Sequence, residues 1–134
     1  MSIRESYIEN DFVELWIEDG IIHEVFKPSL IVLDIENAKK IVADRLKVSN
    51  GIARPILVDT RNAVSVDKET RIYFASAESL YLLRAGALLI KNPIAKFMGN
   101  FFIAVDRPKM PVKIFNNKEH ALRWLKRFLP QALN

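Results

Sequence analysis

Residues 12–26 read FVELWIEDGIIHEVF. Val13, Leu15 and Ile17 alternate with Phe12, Glu14, Trp16 and Glu18, the period-two pattern of a strand with one face buried and one open. Asp19-Gly20 then supplies a two-residue hairpin turn, whose central positions need positive φ, and residues 21–26 resume an extended run. On this register Phe12 and Trp16 stand on an acid-flanked face beside Glu14 and Glu18, away from the core.

Downstream of the hairpin the period changes. Pro28 forbids a continuous central strand, so residues 30–33 form a new, short extended piece. Asp34 is a good helix N-cap, because its carboxylate accepts from free amides of the next turn. Ile35, Ala38, Ile41, Val42 and Leu46 follow at helical spacing, and Asn50-Gly51 stops the helix. Residues 55–58 are a short apolar run ending in Asp59, as expected for a strand buried on both faces. Asp67 caps a second helix through about Ala75, and residues 85–90 form another apolar strand. Asn92 caps a helix that opens with Pro93, whose missing N–H is harmless at the first position. Ile94, Phe97, Met98, Phe101, Phe102 and Val105 trace a core stripe along helix 93–105, with Ile103 off it. Residues 112–115 form the last strand. Asn116 and Glu119 make a capping box for a final helix lined by Ala121, Leu122, Leu125, Phe128 and Leu129.

A hairpin followed by strand–helix alternation implies an α/β fold: a mixed, mostly parallel sheet with right-handed crossovers and helices packed on it. The expected core is Leu57, Val58, Leu88, Leu89 and Ile90, with Ile41, Val42, Phe97, Phe101, Leu122 and Leu125 packed against them. A chain of 134 residues fits one domain spanning 1–134. Half its residues are apolar and only 4 are Gly and 6 Pro, which excludes a disordered or collagenous chain. With no cysteine there is no disulfide framework, thiolate nucleophile or Cys-based metal site. The first eleven residues lack a signal peptide's apolar stretch. Lys91, Lys96, Asn92 and Asn100 interrupt the most apolar region, so a soluble cytoplasmic domain is expected.

Charge is unevenly spread. Residues 1–90 hold 11 Lys/Arg against 14 Asp/Glu, whereas residues 91–134 hold 9 against 2. The basic segment suits nucleic acid, an anionic membrane or an acidic protein surface, and the acidic part can itself be that surface, within the chain or across a dimer.

The order of elements resembles the SpoIIAA-like, or STAS, domain of anti-sigma-factor antagonists. Ile56-Leu57-Val58-Asp59 with Asp67 eight residues later, Gly86-Ala87-Leu88-Leu89-Ile90 followed by Asn92-Pro93, and Val112-Lys113-Ile114-Phe115 before Glu119, Ala121 and Leu122 carry the likeness over most of the chain. In the regulated antagonists the second aspartate precedes a phosphorylated serine. Here Lys68-Glu69-Thr70 follows Asp67, so the resemblance implies an uncharacterised branch without that phosphoswitch. Ser65 and Thr70 are nearby hydroxyls, read as a loop and a first-turn residue. Some members of that branch are compared with lipid-binding Sec14 domains.

The chain carries little that points to chemistry. His23 alternates with Ile21 and Val25 on one strand face, His120 lies in the last helix, and neither has metal-ligand spacing. Phosphate-cradling Gly loops and the hydrolase elbow are absent. Asp59, Arg61 and Asp67 form a possible polar site at a strand's carboxyl end, where α/β ligands bind, although capping and a local ion pair explain them equally. No catalytic residue, cofactor or metal ligand is assigned, and no enzyme is expected. Acid around Phe12 and Trp16 repels a phosphate backbone, so nucleic acid is not expected either. The leading expectation is a non-enzymatic interaction module, forming a homodimer with Phe12 and Trp16 at its interface or docking a regulatory protein. The alternative is a peripheral small-ligand or lipid-binding module using Lys91, Lys96, Arg107 and Lys109 as anion contacts.

Overall fold

The computed structural model describes residues 3–28, 33–62, 66–92, 100 and 102–130. Among them six strands form one sheet in sequential order: β1 (Glu5–Glu9), β2 (Val13–Glu18), β3 (Ile21–Phe26), β4 (Arg54–Asp59), β5 (Leu83–Leu89) and β6 (Val112–Phe115). β1–β2 and β2–β3 pair antiparallel; β3–β4, β4–β5 and β5–β6 pair parallel. The helices are α1 (Ile35–Ser49), α2 (Lys68–Phe74), α3 (Ala77–Leu80) and α4 (Lys118–Leu125), with a π-helical turn at Phe102–Asp106 and a 3-10 turn at Lys126–Phe128.

The local signals work as the sequence predicts. Asp19 and Gly20 both have positive φ and close the β2–β3 hairpin. Asp34 caps α1 by accepting from Asn37 N, and the Asn37 side chain returns the bond to the cap backbone. Asn50 ends α1 in the left-handed conformation, followed by Gly51 at φ 77. Asp67 caps α2, accepting from Thr70 N at 2.8 Å.

Strand order that advances one way, with right-handed crossovers, places every crossover helix on one face of the sheet. α1 accordingly packs on a first face with Val13, Leu15, Ile17, Ile22, Phe26 and Ile56. α4 follows the last strand, crosses nothing, and turns back over the second face onto Leu57, Ala85, Ala87 and Leu89. The sheet therefore has helices on both faces. α4 lies mainly over β4, β5 and β6, and its cluster reaches Ile21 at the start of β3.

Several expectations need correction. β1 was not foreseen: Glu5-Ser6-Tyr7-Ile8-Glu9 is largely polar because an edge strand stays wet, and only Ile8 packs against the core. Its register shifts between Glu5 and Ile8, where Ser6 has φ 53. Val58, Leu88 and Leu122 are half-buried. Val58 and Leu88 lie on the first face, beyond Ile56 toward the carboxyl ends of their strands, so a continuous apolar run did not mean equal cover on both faces. Val105 is 55% exposed and Ile103 half-buried, because a π-helical turn spreads residues at a longer period than the 3.6 that defined the stripe. The last helix is capped by Asn117, whose side chain accepts from His120 N, rather than by Asn116. α3, capped by Ser76, was also missed. Of the 30–33 piece, Leu33 forms an isolated parallel bridge with Val66. Phe97 and Phe101, and the helix opening at Pro93, lie outside the described residues.

Candidate functional site

Beyond α4, a row of aromatic rings rather than a helix covers the second face. Alternation sends Trp16 of β2 and His23 of β3 to that face directly opposite each other. Their rings stack at 5.2 Å and 13°, and Tyr7 of β1 continues the row at 6.3 Å and 21° from Trp16. Arg4, just before β1, sets its guanidinium carbon 4.0 Å from the Trp16 ring centroid. A cation over an indole face is attracted by the ring's quadrupole. Two acids rim the row: the Trp16 Nε1–H donates to Glu18 at 3.2 Å, and the Tyr7 hydroxyl donates to Glu14 at 2.5 Å.

The electrostatics keep this row neutral. The hydrogen bond to Glu14, with its charge, pushes the Tyr7 hydroxyl up to about 12. Burial pushes His23 down to about 4; Glu18 opposes that shift, while Lys118 and Arg4 add to it. His23 Nδ1 is buried with no hydrogen-bond partner among the described residues. A histidine neutral at ordinary pH, stacked and enclosed, is an aromatic plate rather than a proton carrier.

Trp16 is only 3% exposed, which corrects the expectation of an open interface aromatic. The unforeseen β1 brings Tyr7 beside it and Arg4 over it. Phe12 is half-buried against the first-face core, just before β2, its N–H bonded to Asn10 Oδ1 at 2.8 Å.

The predicted polar site divides. Arg61 grips Asp59 with two parallel bonds, Nε to Oδ1 at 3.0 Å and Nη2 to Oδ2 at 2.8 Å, and adds its backbone N–H. Burial disfavours the Asp59 charge, but these bonds outweigh it and hold the carboxyl below its ordinary range. Asp67 is used in capping α2. Thr70 is fully buried and donates its hydroxyl to Leu33 O at 3.2 Å. Lys91, Arg107 and Lys109 are exposed; Lys96 and Ser65 lie outside the described residues. No group of three or more His, Cys, Asp or Glu among the described residues is arranged to hold a metal.

Sequence reading missed Arg4 and Tyr7 and placed His23 only on a strand face with Ile21 and Val25. Only the cross-strand register unites the three, although Tyr7 and Trp16 each stand beside acids in sequence. Beside the row, α4 and the turn after it expose Lys118, Arg123, Lys126 and Arg127. One side of the sheet thus has an acid-rimmed aromatic shelf over β1–β3 and a basic helix over β4–β6.

Comparison with known proteins places this geometry. The crystal structure of an uncharacterised protein from the DUF3478 family of Shewanella loihica PV-4, described as having a SpoIIAA-like fold, superimposes with a TM-score of 0.53. The match covers 92% of this chain and 95% of that one at 13% identity, so the likeness is one of fold. The chain has a SpoIIAA-like α/β fold. No curated protein matches it. No helix among the described residues is long and apolar enough to cross a membrane. Residues 15–129 match the model of a family described as a domain of unknown function, DUF7793.

Proposed function

The chain belongs to the DUF7793 family, and on that premise we propose that it is a non-enzymatic protein-interaction module that pairs with a second copy of itself through the half-covered side of its sheet. The unequal cover of that side carries the reading. α4 occupies one half, and the shelf of Tyr7, Trp16, Glu14 and Glu18 occupies the other. A two-fold axis lying between two facing sheets and running parallel to the strands lays the α4 of one copy on the shelf of its partner, and the reverse, so one contact is made twice. The charges agree with that arrangement, since exposed Arg123, Lys126 and Arg127 would meet Glu14 and Glu18.

The polar groups at the strand ends support a non-enzymatic role. Asp59 is engaged by Arg61, Asp67 by the start of α2, and His23 is enclosed and neutral. A regulatory protein offering a basic helix would use the same shelf. Light scattering over a concentration range tests the reading: a dimer at micromolar concentration that weakens as salt rises supports it. A monomer throughout contradicts it. Salt-sensitive binding to anionic vesicles, lost on replacing Lys91, Arg107 and Lys109, would favour a peripheral lipid-binding module instead.

A further inference from the structure

Resting on that reading of the shelf as an interaction face, we infer that the Trp16 ring is a receptor for an arginine side chain from the α4 of a second copy, and that Arg4 is its occupant in the isolated chain. The site is already shown filled: a guanidinium carbon stands 4.0 Å from the indole centroid. A planar guanidinium stacks on an aromatic face and still directs N–H donors outward at carboxylates, which a compact ammonium cannot do. Glu14 and Glu18 supply those carboxylates, each tied to the aromatic row by a hydrogen bond from Tyr7 or Trp16.

The row under the cation is built to accept positive charge. His23 stacks on Trp16 and is held neutral, so no imidazolium repels an incoming guanidinium. The Tyr7 hydroxyl stays a phenol. Arg4 is itself exposed and lies just before β1, outside the strand ladder. Exchanging it returns a charged side chain to water and leaves the sheet intact. The exposed Arg123 and Arg127 lie on the second-face side, where the proposed two-fold carries them over the partner's shelf. Arg4 then acts as an internal competitor that sets how tightly the second copy binds.

The test follows the Trp16 indole N–H by NMR in the full chain, distinguished from Trp124 by the Trp124→Phe variant, during titration with N-acetyl-argininamide. In Arg4→Ala the signal should shift saturably, with binding about two- to fivefold tighter than in the unaltered chain, the worth of one exposed cation–π contact. N-acetyl-lysinamide should shift it less. Arg4→Lys keeps the charge and should behave between the two, which guards against misreading a folding defect in Arg4→Ala. In light scattering, Arg4→Ala should tighten the dimer by a similar factor, and adding Arg123→Ala and Arg127→Ala should cancel the gain. A folded Arg4→Ala that ignores argininamide, or that takes lysinamide equally well, overturns the inference while leaving a salt-sensitive dimer untouched. A monomer that binds argininamide keeps the arginine site but overturns the second copy as its source.

Discussion

Glu24 of β3 and Arg45 of α1, 21 positions apart in sequence, meet as an enclosed ion pair at 3.0 Å, both side chains no more than 5% exposed. Arg45 also donates to Ser79 O at 2.7 Å, so this one side chain ties β3, α1 and α3 together on the first face. The charge at Glu24 interrupts an otherwise apolar face and is tolerated because its partner arrives from the covering helix. The pairing anchors the first face.

Breaking that pair from one side should be costly. Arg45→Met leaves Glu24 buried without its partner, and the expected loss is about 3–5 kcal/mol by urea unfolding. Adding Glu24→Gln should recover much of it. If Arg45→Met alone is neutral, the pair does not anchor the first face.

Acid should expose the enclosed histidine. The unfolded chain protonates His23 near 6.5, whereas the folded chain does so only near 4. Between those values the unfolded state binds the extra proton, so stability falls as pH drops through that window, by about 3 kcal/mol at most, and levels off below it. The depressed carboxyls of Asp44, Asp59 and Asp67 lose their contribution lower, as pH falls below the ordinary carboxylate range. His23→Phe keeps an aromatic plate and should flatten the upper window. Urea midpoints against pH for both proteins measure the difference.

The α2 start should act as a cap alone. Asp67→Ala is expected to cost roughly 0.5–2 kcal/mol of stability. Thr70, fully buried and bonded to Leu33 O, should carry no phosphate when the protein is isolated from cells and measured by intact mass. A phosphorylated Thr70 that alters partner binding would refute this.

Second-face packing depends on α4. Leu125 and Leu57 are both at most 1% exposed and belong to one cluster. Leu125→Ala should destabilise by about 2–5 kcal/mol in thermal or urea unfolding. A much smaller loss would mean that α4 is not docked on the second face.

What the sequence disclosed was local. The strand over 13–18, the Asp19-Gly20 turn, and the caps at Asp34 and Asp67 each depend on residues within a few positions, and all form as expected, although Trp16 on the strand's polar face is buried. The resemblance to the SpoIIAA-like fold rested on the order of such elements and is matched by the fold comparison. What escaped notice was non-local. Trp16 faces the expected side, but a polar edge strand 9 positions earlier brings Tyr7 and Arg4 to it, and no periodicity in Glu5–Glu9 announces that strand. The Glu24–Arg45 pair was hidden for the same reason: each charge reads as solvated until helix and sheet are docked. Val105 was misplaced because a π-helical turn leaves no sign in apolar spacing.

Charge exchange across the proposed two-fold tests the central claim most directly. Glu14→Lys with Glu18→Lys makes the shelf basic against a basic α4, and Arg123→Glu with Arg127→Glu makes α4 acidic against an acidic shelf. Each double variant alone should stay monomeric in light scattering at concentrations where the unaltered chain is dimeric. Mixed one to one, they should form a heterodimer, because both reciprocal contacts then pair opposite signs. Variants that dimerise as readily as the unaltered chain when separate, or fail to associate when mixed while remaining folded, would contradict the account.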